Sequence, residues 1–276
     1  MTIYHYTTID SLAMILSSRS IKFNRLDKVD DMEERAESAN VKLWQYMFVS
    51  CWTENQEESI PLWRMYSGNT HGVRIGMTID MFEDNIIDKS SLPQGIPTSG
   101  TLKSKIPAKD FFSPDFFIMP ITTRNEAPDS DTLFYCHVNY VDDVNEMTKD
   151  TFQLEITKSN HADSKIAFGE IGKYKNKRWS FQDETRFRLI ILPFNPFKVN
   201  PDKLVTVAVN SFIDSKPVPI TEYFLKLREE VLNKIEITLH PNSSLSDKII
   251  VEALCRRYAK HAVIKDSQLK DKINLK

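Results

Sequence analysis

Two short stretches, far apart in the chain, carry side chains that can act on a sugar. The first, Tyr4-His5-Tyr6-Thr7, sets a histidine between two tyrosines; the second, Gln182-Asp183-Glu184, stands between Trp179 and Arg186. Imidazole nitrogens hydrogen-bond sugar hydroxyls, and a carboxylate beside a reacting carbon stabilises the positive charge left as a leaving group departs. Those two tasks are what breaking the nicotinamide–ribose bond of NAD⁺ demands. NAD⁺ would then enter as a substrate, and no metal ion is expected.

Each residue also has a plainer reading. On a strand, His5 points to the face opposite Tyr4 and Tyr6, and such half-buried histidines commonly bond the backbone. A two-residue period puts Gln182, Glu184 and Arg186 on one face, so Glu184 and Arg186 can be an ion pair, or Glu184 can face a cleft with the Gln182 amide orienting an acceptor beside it. Arg25, in Asn24-Arg25-Leu26-Asp27, can clamp a pyrophosphate with its planar fork, although pairing with one of the acids that follow is plainer. Trp63 and Tyr66, at i and i+3 of a short helix, can be core or can wall a flat nicotinamide ring. Ser50-Cys51-Trp52-Thr53 places two hydroxyls and a thiol at a strand end. Cys51 would be a nucleophile with His71 or His137 beside it, but a buried structural thiol is the commoner case.

These residues depend on a set of elements readable from periodicity. Ile3 to Thr7 is β-prone; Thr8 or Asp10 caps a helix with Ile9, Leu12, Ile15 and Leu16 on one side, and Ile21 to Phe23 alternates like a short strand. Tyr46 to Trp52 has the aromatic and β-branched content of a central strand. Pro61 opens a short helix that Gly68 ends, and Gly72 to Met77 reads as a strand. From Asp88 to about Pro128, prolines and glycines predict a long irregular insertion, as in binding loops or lids. A strand over Phe134 to Val141 is followed by a helix, and Glu184 to Leu192 turns from alternating to wholly apolar, as a covered central strand does. Leu204 to Val209 reads as a strand, Ile220 to Asn233 as an amphipathic helix with Tyr223 and Phe224 inward, Lys234 to Leu239 as a strand and Ser246 to about His261 as a helix. The acids between Asp27 and Glu37 and the basic run Lys173, Lys175, Lys177 and Arg178 read as solvated faces, the latter able to meet phosphates.

Composition narrows the classes. A chain of 276 residues with 41% hydrophobic and 11% aromatic content can bury a core without disulfides, and the expectation is one domain over residues 1–276. The formal charge of −2 offers no field for nucleic acid or an anionic membrane. Three dispersed cysteines without a Cys-x-x-Cys pair, no leader-like start and no apolar run of ~20 residues fit a cytoplasmic protein with no membrane partner.

Several motifs together carry a resemblance. Tyr4-His5-Tyr6-Thr7, Phe23-Asn24-Arg25-Leu26-Asp27-Lys28 with Asp31 and Glu33, Ser50-Cys51-Trp52-Thr53, Pro61-Leu62-Trp63-Arg64-Met65-Tyr66, and Lys177-Arg178-Trp179 with Glu184 and Arg186 resemble a widespread bacterial and phage family recorded as a domain of unknown function. The match runs over most of residues 1 to 192. Some members look similar to abortive-infection phage-resistance proteins, which implies a role in the conflict between bacteria and phages. Where that family usually has an acid three positions after the tryptophan, this chain has Gln182.

The ordered trio of His5, then Trp63 and Tyr66, then Glu184 also resembles the diphtheria-toxin-like and polymerase-like branch of the ADP-ribosyltransferase superfamily. Gln182-x-Glu184 and Ser50-x-x-Thr53 are similar to its arginine-first branch. The resemblance implies an α+β fold with a split, mostly antiparallel β-sheet and flanking helices. It implies that His5 and Thr7 bind ribose hydroxyls with Tyr6, Ser50 and Thr53 nearby, that Trp63 and Tyr66 wall the nicotinamide, and that Arg25 approaches the pyrophosphate. Glu184 would stabilise the oxocarbenium-like transition state, with Gln182 and Arg186 orienting the substrate.

The expected activity is ADP-ribosyl transfer to an unknown acceptor, protein or nucleic acid, or NAD⁺ hydrolysis. Two readings stand beside it. One is a metal-dependent nuclease or nucleotide hydrolase in which Glu184, Asp183 and members of the Asp27 to Glu37 cluster hold Mg²⁺. The other is a non-catalytic sensor or antitoxin-like partner that binds through residues 88–128.

Overall fold

The computed structural model of the chain describes residues 1–35, 37–68, 70–88, 102–111, 113–119, 132–156 and 162–275. Strand β1 (Thr2–Thr8) runs directly into helix α1 (Ile9–Ser18), whose first turn is capped by the Thr8 hydroxyl accepting from the Ser11 amide. Ile9, Leu12 and Leu16 form its buried stripe, and Arg19 at φ 52° turns the chain back into β2 (Ser20–Arg25). After β3 (Met47–Thr53), Ser59 caps α2 (Ile60–Tyr66), with Pro61 in its first turn, before β4 (Gly72–Thr78).

The middle of the chain holds β5 (Asn85–Ile87), β6 (Leu102–Ser104), α3 (Ala108–Phe111), β7 (Phe117–Ile118), β8 (Tyr135–His137), β9 (Asn139–Val141), α4 (Val144–Thr148), β10 (Phe152–Ile156) and β11 (Ala162–Ile166). There follow β12 (Tyr174–Asn176), β13 (Glu184–Leu192), α5 (Leu204–Ile213), β14 (Glu222–Lys226), α6 (Glu229–Leu232), β15 (Glu236–Leu239), α7 (Leu245–Tyr258) and β16 (Val263–Lys265). The fold is α+β, built on a mostly antiparallel sheet in order β14-β2-β3-β1-β4-β15-β16, with β13 paired to β3 and carrying β7 and β8 on its other edge.

Strand β3 is the hub. Its whole length pairs with β13, from Glu184 opposite Thr53 to Ile190 opposite Met47. The other edge is shared: β2 takes the beginning, with Asn24 opposite Val49 and Arg25 opposite Phe48, and β1 takes the end, with Tyr4 opposite Thr53. Among the described residues β1 and β2 form no ladder with each other, so the sheet opens between them while α1 joins their far ends. The register also lines up Tyr4, Thr53 and Glu184 across three strands.

Phe187 is the centre of the aromatic core. Its ring meets Phe82 at 4.9 Å, Tyr135 at 5.0 Å and Phe134 at 5.1 Å, with Trp52 at 6.5 Å in an edge-to-face approach. Strand β13 is thereby anchored three residues past Glu184.

Three expectations fail here. Leu204 to Val209 is the start of α5, not a strand, because the Asn200-capped turn Pro201–Lys203 runs straight into it and presents Val209 and Phe212 to the core; β-branched content does not decide against a helix that has a nucleated start. The expected helix over Ile220 to Asn233 is strand β14 and the short α6. Strand β14 pairs with β2 from Glu222 opposite Asn24 to Lys226 opposite Ser20, and its period-two burial leaves Phe224 exposed. The expected single strand over Phe134 to Val141 divides into β8 on β13 and β9, which leaves to pair in parallel with β12. Of the expected insertion at 88–128, residues 89–101, 112 and 120–128 lie outside the described residues; the described parts hold β6, α3 and β7.

Phe187→Ala is expected to cost ~3–5 kcal/mol, since the surrounding rings come from separate segments of the chain and cannot all collapse into the void. Denaturant unfolding measures it; a loss under ~1 kcal/mol would mean that the ring cluster is not the anchor of β13.

Candidate functional site

Where β1 and β2 part over the end of β3 there is a cavity of about 320 Å³. Strand β1 contributes His5, Tyr6 and Thr7, β3 contributes Cys51 and Thr53, and α2 contributes Tyr66. Lys28 and Asp30 follow β2, Lys175 lies on β12, and Gln182 and Glu184 flank the entry to β13. His5, Tyr66 and Glu184 thus line one cavity, although more than half of the chain lies between His5 and Glu184.

His5 is held by its backbone neighbour across the gap. Its Nδ1 lies 2.7 Å from the Cys51 carbonyl, and a carbonyl can only accept, so the proton sits on Nδ1 and Nε2 is left as an acceptor. The ring leans on Trp52 at 5.2 Å. Burial depresses its pKa from 6.5, outweighing the opposing effect of the Cys51 bond, and the imidazole is neutral at pH 7.

Glu184 belongs to a buried four-charge network. Arg186 Nε donates to one carboxylate oxygen at 2.5 Å and Lys175 Nζ to the other at 3.0 Å. The rest of the Arg186 guanidinium forks onto Glu34, with Nη2 at 2.9 Å, and Nη1 also meets the Gly172 carbonyl at 3.0 Å. Lys175 stands 3.5 Å from Glu34 and 4.9 Å from the centre of the Trp179 ring. Two cations and two carboxylates cancel formally. Burial alone would raise the Glu184 pKa, but the charges of Arg186 and Lys175 overcome it and hold the group at about 2. The carboxylate is thus ionised at every ordinary pH.

Gln182 ends the 3-10 turn Lys177–Gln182, and Asp183 at φ 44° reverses the chain before Glu184, so Gln182 is not on the strand face expected for it. Its amide is oriented by chemistry: Oε1 accepts from Lys175 Nζ at 2.6 Å, and Nε2 donates to the Tyr66 hydroxyl at 2.7 Å. That hydroxyl donates in turn to Asp30 Oδ2 at 2.7 Å.

Several expected site residues serve elsewhere. Arg25 pairs with Asp27 through two bonds of 2.7 and 3.0 Å, which lowers the Asp27 pKa, and it does not line the cavity. Trp63 is fully buried in a separate cluster with Tyr6, Leu62 and Leu275, its indole N–H donating to Glu58 at 2.9 Å, so it is core and no wall for a ligand. Ser50 accepts the Trp52 indole N–H at 3.0 Å and does not itself line the cavity. Arg186 holds Glu34 and Glu184, the plainer reading of its place two residues after Glu184. Tyr6 and Thr7 line the cavity, the Tyr6 hydroxyl accepting from the Ser59 amide at 2.8 Å. Thr53 also lines it, with its hydroxyl accepting from the Asn55 amide at 3.2 Å. The Cys51 thiol is pushed well above its ordinary pKa by burial and then by Glu184, and His71 is occupied by Asp247 and His137 by Glu54, so the thiol is a structural one.

Lys175, Glu34 and Asp30 were hidden in charge runs. Nothing in the spacing distinguishes Lys175 from Lys173 or Lys177, or Glu34 from Glu33; only the pairing across β12, β13 and the turn Met32–Arg35 turns them inward. The expectation that both runs are solvated is wrong for these two side chains, which are 3% and 0% exposed. Among the described residues no three His, Cys, Asp or Glu side chains converge to hold a metal ion, and no helix is long and apolar enough to cross a membrane. Compared with family models, curated proteins and solved structures, the chain matches none.

Removing one member of the network leaves a buried charge unbalanced. Glu34→Gln is expected to lower the unfolding free energy by ~3–5 kcal/mol at pH 7, read by denaturant titration; a change within ~0.5 kcal/mol would show the pairing to be energetically idle. A second expectation concerns pH. Because the Glu184 pKa is depressed, its share of stability is complete above 4.5 and is lost as the pH falls through about 2. Wild-type stability should fall across that window, and Arg186→Met should show a shallower fall.

Proposed function

We propose that the protein cleaves the nicotinamide–ribose bond of NAD⁺, as an ADP-ribosyltransferase or an NAD glycohydrolase with an ADP-ribosyltransferase-like split sheet. The observation that carries this reading is the convergence of neutral His5, the Tyr66 ring and ionised Glu184 on one cavity at the opening between β1 and β2. A neutral imidazole with Nε2 as acceptor suits a ribose hydroxyl, and Tyr66 offers a wall for the nicotinamide ring. A fixed carboxylate needs no reorganisation as positive charge develops on the sugar, although its two cations temper its field. A cavity of about 320 Å³ suits the nicotinamide ribose half of the dinucleotide. The adenosine half would extend past the rim, where the exposed Lys28, and not Arg25, is the cation near the phosphates. The motif resemblance to abortive-infection proteins makes conflict between bacteria and phages the setting of this activity.

Purified protein incubated with NAD⁺ labelled in the nicotinamide is expected to release free nicotinamide. Glu184→Gln keeps the shape of the side chain and removes its charge, and should lower turnover by roughly two or more orders of magnitude. His5→Ala should also lose activity, chiefly through KM. Near-UV circular dichroism establishes that both variants are folded. Absence of nicotinamide release by the wild type, or undiminished release by Glu184→Gln, would remove this reading.

A further inference from the structure

We infer that Asp30 is the general base that takes the proton from the nucleophile attacking C1′ of the nicotinamide ribose. This deepens the NAD⁺-cleaving reading and rests on it. Asp30 and Glu184 are the two acids among the described residues lining the cavity, and their surroundings give them different work. Glu184 is buried, with one oxygen held by Arg186 and the other by Lys175. Asp30 is exposed at the rim, beyond the turn Leu26–Lys28. A carboxylate with both oxygens held by cations has no lone pair to offer a nucleophile, whereas one whose second oxygen is unoccupied can meet the nucleophile's proton directly. Among the described residues no Lys, Arg or His forms an ion pair with Asp30, and its one hydrogen bond is from the Tyr66 hydroxyl.

The chain of amide and phenol behind it fixes how that hydroxyl points. Lys175 has only donors, so the Gln182 Oε1 must face it and the Gln182 Nε2 must face Tyr66. The Tyr66 oxygen therefore accepts from Gln182 and directs its own proton to Asp30 Oδ2. One oxygen of Asp30 is oriented by this bond and Oδ1 is left for the nucleophile. With water as nucleophile, its oxygen bonds to C1′ while the C1′–N bond breaks and returns its electron pair to the nicotinamide ring nitrogen. The water proton passes to Asp30 and from there to solvent. NAD⁺ and water become ADP-ribose, nicotinamide and one proton. Glu184 stays ionised throughout and takes no proton.

The test is chemical rescue. Asp30→Ala is expected to release nicotinamide from NAD⁺ at least ~100-fold more slowly than wild type with KM little changed. Asp30→Asn, which retains an acceptor oxygen for Tyr66, should show the same loss. Azide attacks without having a proton to lose, so adding it should restore turnover in Asp30→Ala and yield ADP-ribosyl azide, identified by mass spectrometry; Glu184→Gln should not recover. Full activity in either Asp30 variant, or a loss that azide leaves unrepaired, overturns the role of Asp30 while wild-type cleavage stands. A wild type that releases no nicotinamide overturns the role of Asp30 together with the reading beneath it.

Discussion

The contact on which the site depends is the buried fork of Arg186 onto Glu34 and Glu184. Taking four charges out of water is costly, and their mutual attraction offsets that cost only when geometry and hydrogen bonding are nearly complete. Here they are: Arg186 reaches both carboxylates and the Gly172 carbonyl, and Lys175 meets Glu184 and Gln182 directly, with Glu34 close by. The network ties the start of β13 to β12 and to the turn Met32–Arg35, three segments that share no common ladder. Moving any one of them strands a charge, so the first residue of β13 has one position.

From that fixed point a chain of hydrogen bonds extends toward the cavity rim through the neutral Gln182 and Tyr66. Lys175 orients the Gln182 amide, the amide orients Tyr66, and Tyr66 holds Asp30. On the opposite wall His5 is set by the Cys51 carbonyl, which belongs to the strand that pairs with β13. Both walls are therefore referred to β3, and β3 is kept in place by ladders along both edges and by the ring cluster about Phe187. A cavity whose polar groups are positioned by such a frame has little freedom to relax when a ligand departs, which is the condition for preorganised electrostatics.

The elements nearest the site were largely legible. Strands β1 and β3 announced themselves by β-branched and aromatic content, β4 by its glycine-flanked run and β13 by alternation that turns apolar, α1 by its cap and α2 by the placement of Pro61. His5, Tyr66 and Glu184 stood out because their residue types do chemistry and their order made sense together. Arg25 and Trp63 were misleading for a definite reason: each has a structural partner within a few residues, Asp27 and Glu58, that satisfies it before any ligand can. Farther along, β14 was unreadable because its helix-compatible pattern is overruled by an open edge of β2.

By itself the sequence determined the segments that form β1, β3, β4 and β13, the starts of α1 and α2, and which side chains carry reactive groups, since those are local properties of residue type and spacing. The tertiary structure alone decided which lysine and which glutamate of two charge runs turn inward, that Gln182 relays between Lys175 and Tyr66, and that Asp30 shares a cavity with Glu184. Those outcomes depend on contacts between residues as many as 152 positions apart, as for Arg186 and Glu34. A charge in a run carries no mark of its partner until the sheet brings the partner to it and excludes the water that would otherwise serve both.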